Sequence, residues 1–292
     1  MKILITGAKG QLGTELLTCL KNGRSELGVL SDTLKNAQYR GIDVDELDIT
    51  DINAVDTLMA EEKYDVIINC AAYTNVNGCE TNRDDAFRVN AIGPRNLAVS
   101  AQKYGAKLLH VSTDYVFAGD GTTPYTECDV CDPQSAYGAT KYLGEQYVRE
   151  FCSRYFIMRT SWLYGYYGNN FVKTMQTRGK TKEEITVVND QRGNPTNAAD
   201  LAHHILKVIQ TNEYGVYHCT GEGECTWYDF ACEIMKLSGL SCIVKPCTTD
   251  EYPTPAKRPA FSSLDNMMLR CTVGNEMRNW KDALSYFIEH QK

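Results

Sequence analysis

Tyr137 and Lys141 stand four residues apart in the run Ser-Ala-Tyr-Gly-Ala-Thr-Lys (135–141). On a helix that spacing puts a phenol and an ammonium on one face. There the cation is expected to lower the phenol's pKa and ready it to give up a proton at neutral pH. A second cluster, His-Val-Ser-Thr-Asp-Tyr-Val-Phe (110–117), lies upstream. A hydroxyl from the end of that strand, Ser112 or Thr113, is suited to orienting a carbonyl. Tyr-x-x-x-Lys by itself arises often by chance, so its weight comes from what precedes it.

The chain opens with a short apolar strand, Ile3 to Ile5, followed by Gly7-x-x-Gly10-x-x-Gly13 and an amphipathic helix striped by Leu12, Leu16, Leu17 and Leu20. Strand, glycine-rich turn and helix is the context that makes such a pattern a dinucleotide site. The glycines permit a tight turn and close backbone approach, and the helix start offers free N–H groups to a pyrophosphate.

The elements that must position these groups follow in order. Residues 22–38 are polar and irregular and read as a loop or frayed insertion, with a second strand over Tyr39 to Val44. Asp43 near its end is placed to accept bonds from the adenosine ribose. Asp48 and Ile49 are placed to flank the adenine, with Asp48 also readable as a turn residue. Thr50 or Asp51 is expected to cap the next helix. Tyr64 to Cys70 is a buried strand leading into Ala71-Ala72-Tyr73-Thr74, at the carboxyl end where open α/β sheets bind ligands. One helix is expected over Asp84 to Tyr104, containing Asn90, and another buried strand over Lys107 to Ser112. Beyond a further strand, Tyr155 to Thr160, the alternation loosens. Short helices are expected at Phe171–Thr177, Asp200–Gln210 and Thr226–Ser238, and strands at Glu184–Val188 and Gly215–Cys219.

Composition sets outer bounds. The 292 residues exceed the usual single domain, so one large domain with an appended lobe, or two domains, is expected. Hydrophobic residues at 43% suffice for a sizeable core, and no apolar run approaches the roughly 18 residues of a membrane span. Met1 leads directly into a strand without a signal-peptide pattern, so a cytoplasmic protein that uses no membrane is expected. A net charge of −7 without a basic stripe argues against nucleic acid as a partner. The twelve cysteines are scattered and read as reduced, mostly buried thiols. Cys128-x-x-Cys131 has no matching second pair, so no metal ligands are assigned.

Taken together, the motifs are similar to those of the extended short-chain dehydrogenase/reductase superfamily, and more narrowly resemble its dTDP-4-dehydrorhamnose reductase family. The resemblance rests on residues 5–13, 46–51, 69–74, 111–117, 137–141, 159–165, 190–196 and 258–265, which span nearly the whole chain. The glycine and Tyr/Lys motifs specify only the superfamily, whereas Ser-Thr-Asp-Tyr-Val-Phe with Arg-Thr-Ser-Trp is particular to the branch. Phe261 departs from the family pattern, which carries a polar residue there.

The resemblance implies an α/β fold, a Rossmann-type doubly wound parallel sheet with a smaller C-terminal substrate-binding lobe. Residues 1–160 would form the dinucleotide-binding domain, with a returning segment near 194–220, and 161–292 mainly the lobe. It implies reduction of the 4-keto group of a dTDP-6-deoxysugar by NADPH or NADH. Thr113, Tyr137 and Lys141 would be catalytic. Gly7, Gly10, Gln11, Leu12, Gly13, Asp43, Asp48, Ile49, Ala72, Tyr73 and Thr74 would hold the cofactor together with Tyr137 and Lys141. Thr113, Asp114, Trp162 and Arg258 would meet the dTDP-sugar, Arg258 being readable also as a surface arginine and Trp162 as a core residue. Asp43 favours NADH by repelling a 2′-phosphate, while the family permits NADPH, and Arg40 lies close in sequence. Some relatives form homodimers with a bound Mg2+. Glu15 matches one position involved but reads as a surface helical glutamate. The competing readings are a nucleotide-sugar epimerase or dehydratase of the same superfamily, and a non-catalytic regulatory subunit like the methionine adenosyltransferase beta subunit.

Overall fold

In the computed structural model, which describes residues 1–291, six parallel strands form the central sheet. In chain order they are Lys2–Thr6, Gln38–Ile42, Val66–Asn69, Lys107–Thr113, Tyr155–Thr160 and Gly215–His218. Across the sheet the order is sixth, fifth, fourth, third, first, second. This is the Rossmann-type doubly wound arrangement, with the reversal of direction beside the first strand.

Alternation along these strands explains why helices cover both faces. Ile3, Ile5, Val66, Ile68, Leu109, Phe156 and Met158 point into one apolar cluster with Leu16 and Leu20 of the Gln11–Asn22 helix and Leu201 and Ile205 of the Ala198–Val208 helix. Leu4, Ile67, Leu108 and Ile157 point the other way, onto Val55, Leu97 and Val148. Strands apolar on both faces are what a parallel sheet sandwiched by helices demands.

A third cluster lies apart from the sheet. Tyr164, Val172, Ile185, Phe230, Ile234, Trp280 and Phe287 pack there. The two-strand pairing of Glu184–Val188 with Ile243–Cys247 and the helices Phe171–Thr181, Trp227–Leu237 and Trp280–His290 enclose it. Thr226 and Asp229 form a reciprocal capping box at the start of the middle helix.

Two local expectations are corrected. Residues 22–38 are not a loop: Gly23 caps the first helix in the left-handed conformation, a hairpin pairs Arg24–Ser25 with Gly28–Val29, and Ser31 caps a one-turn helix, Asp32–Lys35. Elements this short carry too few residues to show a period. The expected helix Asp84–Tyr104 is three pieces: Arg83–Phe87, a π-helical turn Arg88–Ile92, and Gly93–Tyr104. The break centres on Asn90, which is buried and takes part in long-range bonds described below. No helix among the described residues is long and apolar enough to cross a membrane.

Candidate active site

The carboxyl ends of the first, third and fourth strands open onto one cavity of about 850 Å³. Its wall begins at the glycine turn. Gly7 has φ +68°, and a Cβ there would stand 2.7 Å from Ala71 N; one on Gly13 would stand 2.3 Å from Gly7 O. Any side chain at either position would close the turn, so the backbone forms a bare cradle leading into the N-terminus of the Gln11–Asn22 helix. Gly10, Gln11 and Leu12 continue this wall, and Ala72, Tyr73 and Thr74 face it.

Asp43, just past the second strand, also lines the cavity, and its two oxygens accept from Lys9 N and Val44 N, each at 2.9 Å. Lys9 was not singled out in the sequence. Its backbone ties the glycine turn to Asp43, and its Nζ pairs with Asp45 at 2.6 Å. Arg40 turns away toward Glu46 and Glu62. Ile49 is buried at the cavity edge, whereas exposed Asp48 accepts from Thr50 N at 2.8 Å, a turn role combined with a place on the wall. Asp51 is the cap of the Ile52–Glu62 helix.

Across the cavity stand Thr113, Asp114, Tyr137 and Lys141. Ser135 caps the Ala136–Phe151 helix by accepting from Gly138 N at 3.1 Å, which fixes where Tyr137 begins the first turn. The Tyr137 ring meets Tyr115 edge-on at 5.5 Å. Its phenol is not acidified as the Tyr/Lys spacing suggested. Burial raises its pKa well above 10, and the neighbouring Thr113 hydroxyl offsets this only in part. The physical reason is the direction Lys141 takes. Its Nζ donates to the Val111 carbonyl at 2.7 Å and lies 3.4 Å from His110 Nε2. Burial lowers Lys141 to about 8, against the opposing pull of Glu145 and Cys70.

Thr113 Oγ1 donates to Asp114 Oδ1 at 2.8 Å, while Asp114 Oδ2 is buried without a partner. Burial raises Asp114 to about 6. Hydrogen bonding from Ser262 and Thr113 offsets this only in part. Ser112, the alternative hydroxyl, is also buried and unpartnered. Arg258 lines the cavity, donating to Tyr115 Oη at 3.0 Å and Asn77 Oδ1 at 3.3 Å.

Trp162 has a left-handed backbone, φ 47°, a strained conformation for a side-chain-bearing residue. Its indole stacks on Trp227 at 3.6 Å and 7°. Trp227 also lines the cavity and was missed, because the first residue of a helix in the third cluster reads from sequence as core. Asn90 was named only as a helix residue. Its Oδ1 accepts from Tyr73 N at 2.8 Å, and its Nδ2 donates to Tyr73 O at 3.1 Å and Thr140 Oγ1 at 3.2 Å. It thus clips the loop of residues 72–74 to the helix bearing Tyr137 and Lys141. The π-helical turn around it was the signal, and that turn has no sequence signature.

Glu15 is not a surface glutamate. It is 5% exposed, with Oε2 unpartnered, and burial, then Glu26, push its carboxyl up to about 7. Among the described residues no group of three or more His, Cys, Asp or Glu side chains is arranged to hold a metal ion. Cys131 lies beside Arg159 Nη2 at 3.1 Å, and Cys128 is exposed.

The profile of the family described as "RmlD substrate binding domain" matches residues 1–292. A dTDP-4-dehydrorhamnose reductase from Clostridium acetobutylicum has a solved structure 50% identical to this chain, covering 99% of each chain with a TM-score of 0.93. The Bacillus anthracis dTDP-4-dehydrorhamnose reductase, solved in complex with NADP, is 44% identical over 99% of each chain, also with a TM-score of 0.93. The spore coat polysaccharide biosynthesis protein SpsK of Bacillus subtilis (strain 168) is 39% identical over 99% of this chain and 98% of its own length.

Proposed function

The chain belongs to the RmlD substrate binding domain family, and on that footing we propose that it reduces the 4-keto group of dTDP-4-dehydro-6-deoxy-L-mannose to dTDP-L-rhamnose, using NADPH or NADH. It is an oxidoreductase of nucleotide-sugar biosynthesis. The observation that carries the reading is the convergence of Thr113, Tyr137 and Lys141 with the bare glycine cradle on one cavity. Residues 1–160, with the returning segment near 194–220, are the dinucleotide-binding domain, and 161–292 mainly the substrate lobe. The separate apolar cluster behind Trp162 and Trp227 supports that division.

The cradle of Gly7, Gly10 and Gly13 fits a pyrophosphate, with Gln11 and Leu12 at the helix start, Asp43 at the ribose, Asp48 and Ile49 at the adenine, and Ala72, Tyr73 and Thr74 along the rest. When bound, the cofactor supplies hydride to C4. Thr113 hydrogen-bonds the ketone oxygen and stabilises its growing charge. Tyr137, kept protonated by burial, gives its phenolic proton to that oxygen as the alkoxide develops. Lys141, as an ammonium, donates to the nicotinamide ribose. Asp114 accepts a sugar hydroxyl. Trp162 covers the apolar side of the deoxysugar, and Arg258 meets the diphosphate.

The decisive experiment supplies enzymatically generated dTDP-4-keto-L-sugar with NADPH or NADH and identifies the product. Reductase action consumes one cofactor per dTDP-L-rhamnose formed. An epimerised or dehydrated product without net cofactor loss would replace the reading with its superfamily rival. Absence of turnover with a synthetase co-purifying would favour the regulatory-subunit alternative.

Two further outcomes follow from single contacts. Asp43→Asn removes the charge facing the ribose while keeping an acceptor for Lys9 N. The NADPH/NADH ratio of kcat/KM is expected to rise about tenfold, the size of one charge-assisted hydrogen bond. An unchanged ratio would take Asp43 out of cofactor choice. Trp227→Ala withdraws the ring behind Trp162. The KM for the sugar nucleotide is expected to rise about three- to tenfold, as one stacked pair implies, with kcat little altered. A loss confined to kcat would show that the stack does not bind substrate.

A further inference from the structure

Beneath the cavity runs a line of buried polar groups that the proposed reaction leaves unused. Thr6, Asn69 and His110 occupy paired register positions on three adjacent strands, and Lys141 reaches them from the helix above. All four are buried.

Proton positions along this line follow from one fixed donor. The Ala71 N–H can only donate, and it meets Asn69 Oδ1 at 3.1 Å. The Thr6 hydroxyl donates to the same oxygen at 2.7 Å. Asn69 Nδ2 is therefore the atom 3.0 Å from His110 Nδ1, and an amide nitrogen can only donate. His110 Nδ1 must accept, so the one proton of a neutral ring sits on Nε2. Burial first, and the Lys141 charge second, keep the ring neutral by lowering its pKa well below 6.5. Nε2–H then faces Lys141 Nζ at 3.4 Å.

An ammonium at that spot sets donor against donor, whereas an amine offers its lone pair to the ring N–H. The other groups around Lys141 act in the opposite sense. Cys70, from the end of the third strand, and Glu145, one turn along the helix and paired with Arg159 of the fifth strand, favour the ammonium. Tyr137, one turn earlier, stays neutral. Burial opposes the charge, and the imidazole N–H stands against it.

We propose that His110 is a positioning residue: locked in one tautomer by Asn69, it holds an N–H against Lys141 Nζ and so sets where activity fails on the alkaline side. The inference rests on Lys141 acting as an ammonium in the reaction proposed above. The ammonium is present below its pKa and lost above it, so activity falls as pH rises through about 8.

The test is the pH profile of kcat/KM with NADPH for wild type, His110→Asn and Asn69→Asp. His110→Asn keeps an acceptor for Asn69 Nδ2 and deletes the N–H at Lys141. Asn69→Asp gives the ring's Nδ1 an acceptor, so the proton moves there and Nε2 turns its lone pair to the ammonium. Both variants are expected to move the alkaline limb up by about one pH unit. A merely structural role would lower kcat and leave the limb in place, and a limb unmoved in both variants overturns the proposal. A measurement on unaltered protein guards against misfolding of the variants. The histidine 15N resonances of wild type should show His110 as the neutral Nε2–H form between about pH 6 and 9; an Nδ1–H ring or an imidazolium overturns the proposal. Failure of the parent reading looks different: Lys141→Met would then retain wild-type turnover.

Discussion

Tyr137→Phe is expected to lose about three orders of magnitude in turnover while binding NADPH as wild type does. The size follows from the removal of a positioned general acid. Phenylalanine fills the same space, keeps the edge-on contact with Tyr115, and leaves Thr113 held by Asp114. The cavity therefore keeps its shape and loses only the proton. Stopped-flow hydride transfer together with cofactor fluorescence titration separates the two effects. Turnover within about tenfold of wild type would remove Tyr137 as the donor, since bulk water could not replace a positioned acid that efficiently. Because burial holds this phenol protonated well past neutrality, the alkaline limb of the wild-type profile is expected to belong to Lys141.

Glu145→Gln should be the most destabilising change near the site. Glu145 is 0% and Arg159 1% exposed, and the guanidinium grips the carboxylate with Nε at 2.9 Å and Nη2 at 2.7 Å. Arg159 also lies over the Phe117 ring and 3.4 Å from His218, whose pKa burial, aided by that arginine, pushes down to about 3. Neutralising Glu145 leaves a buried cation with no counter-charge, at a cost of about 3–5 kcal/mol. For a chain of this size the expected fall in melting temperature is roughly 6–15 °C. A second readout ties the pair to chemistry. Glu145 supports the Lys141 ammonium, so its loss should move the alkaline limb down, opposite in sign to the His110 variant. A melting temperature within about 2 °C of wild type would show that the pair contributes little net stability.

Much of the site was readable because its signals are local. A glycine turn after an apolar strand, a hydroxyl cluster at another strand's end, and Tyr and Lys one helical turn apart each lie within a dozen residues. The site residues assigned from them line the same cavity, because parallel strands in a doubly wound sheet all end on one edge. Strand Tyr155–Thr160 and strand Glu184–Val188 matched to the residue. By contrast, Asn90 works through Tyr73 and Thr140, 17 and 50 positions away. Trp227 meets Trp162 across 65 positions of chain, and Glu15 is buried among acids contributed by Glu26 and Asp200.

The sequence by itself determined the strands of the central sheet, the glycine cradle and the pairing of Tyr137 with Lys141, since periodicity, turn chemistry and helical spacing depend on neighbours a few residues apart. Only the tertiary structure decided the protonation of that pair. Lys141, on a helix, points at His110 and Val111 of a strand, and Tyr137 stands half-buried on the cavity wall. Desolvation and long-range partners fix a pKa, and neither exists until the chain has folded.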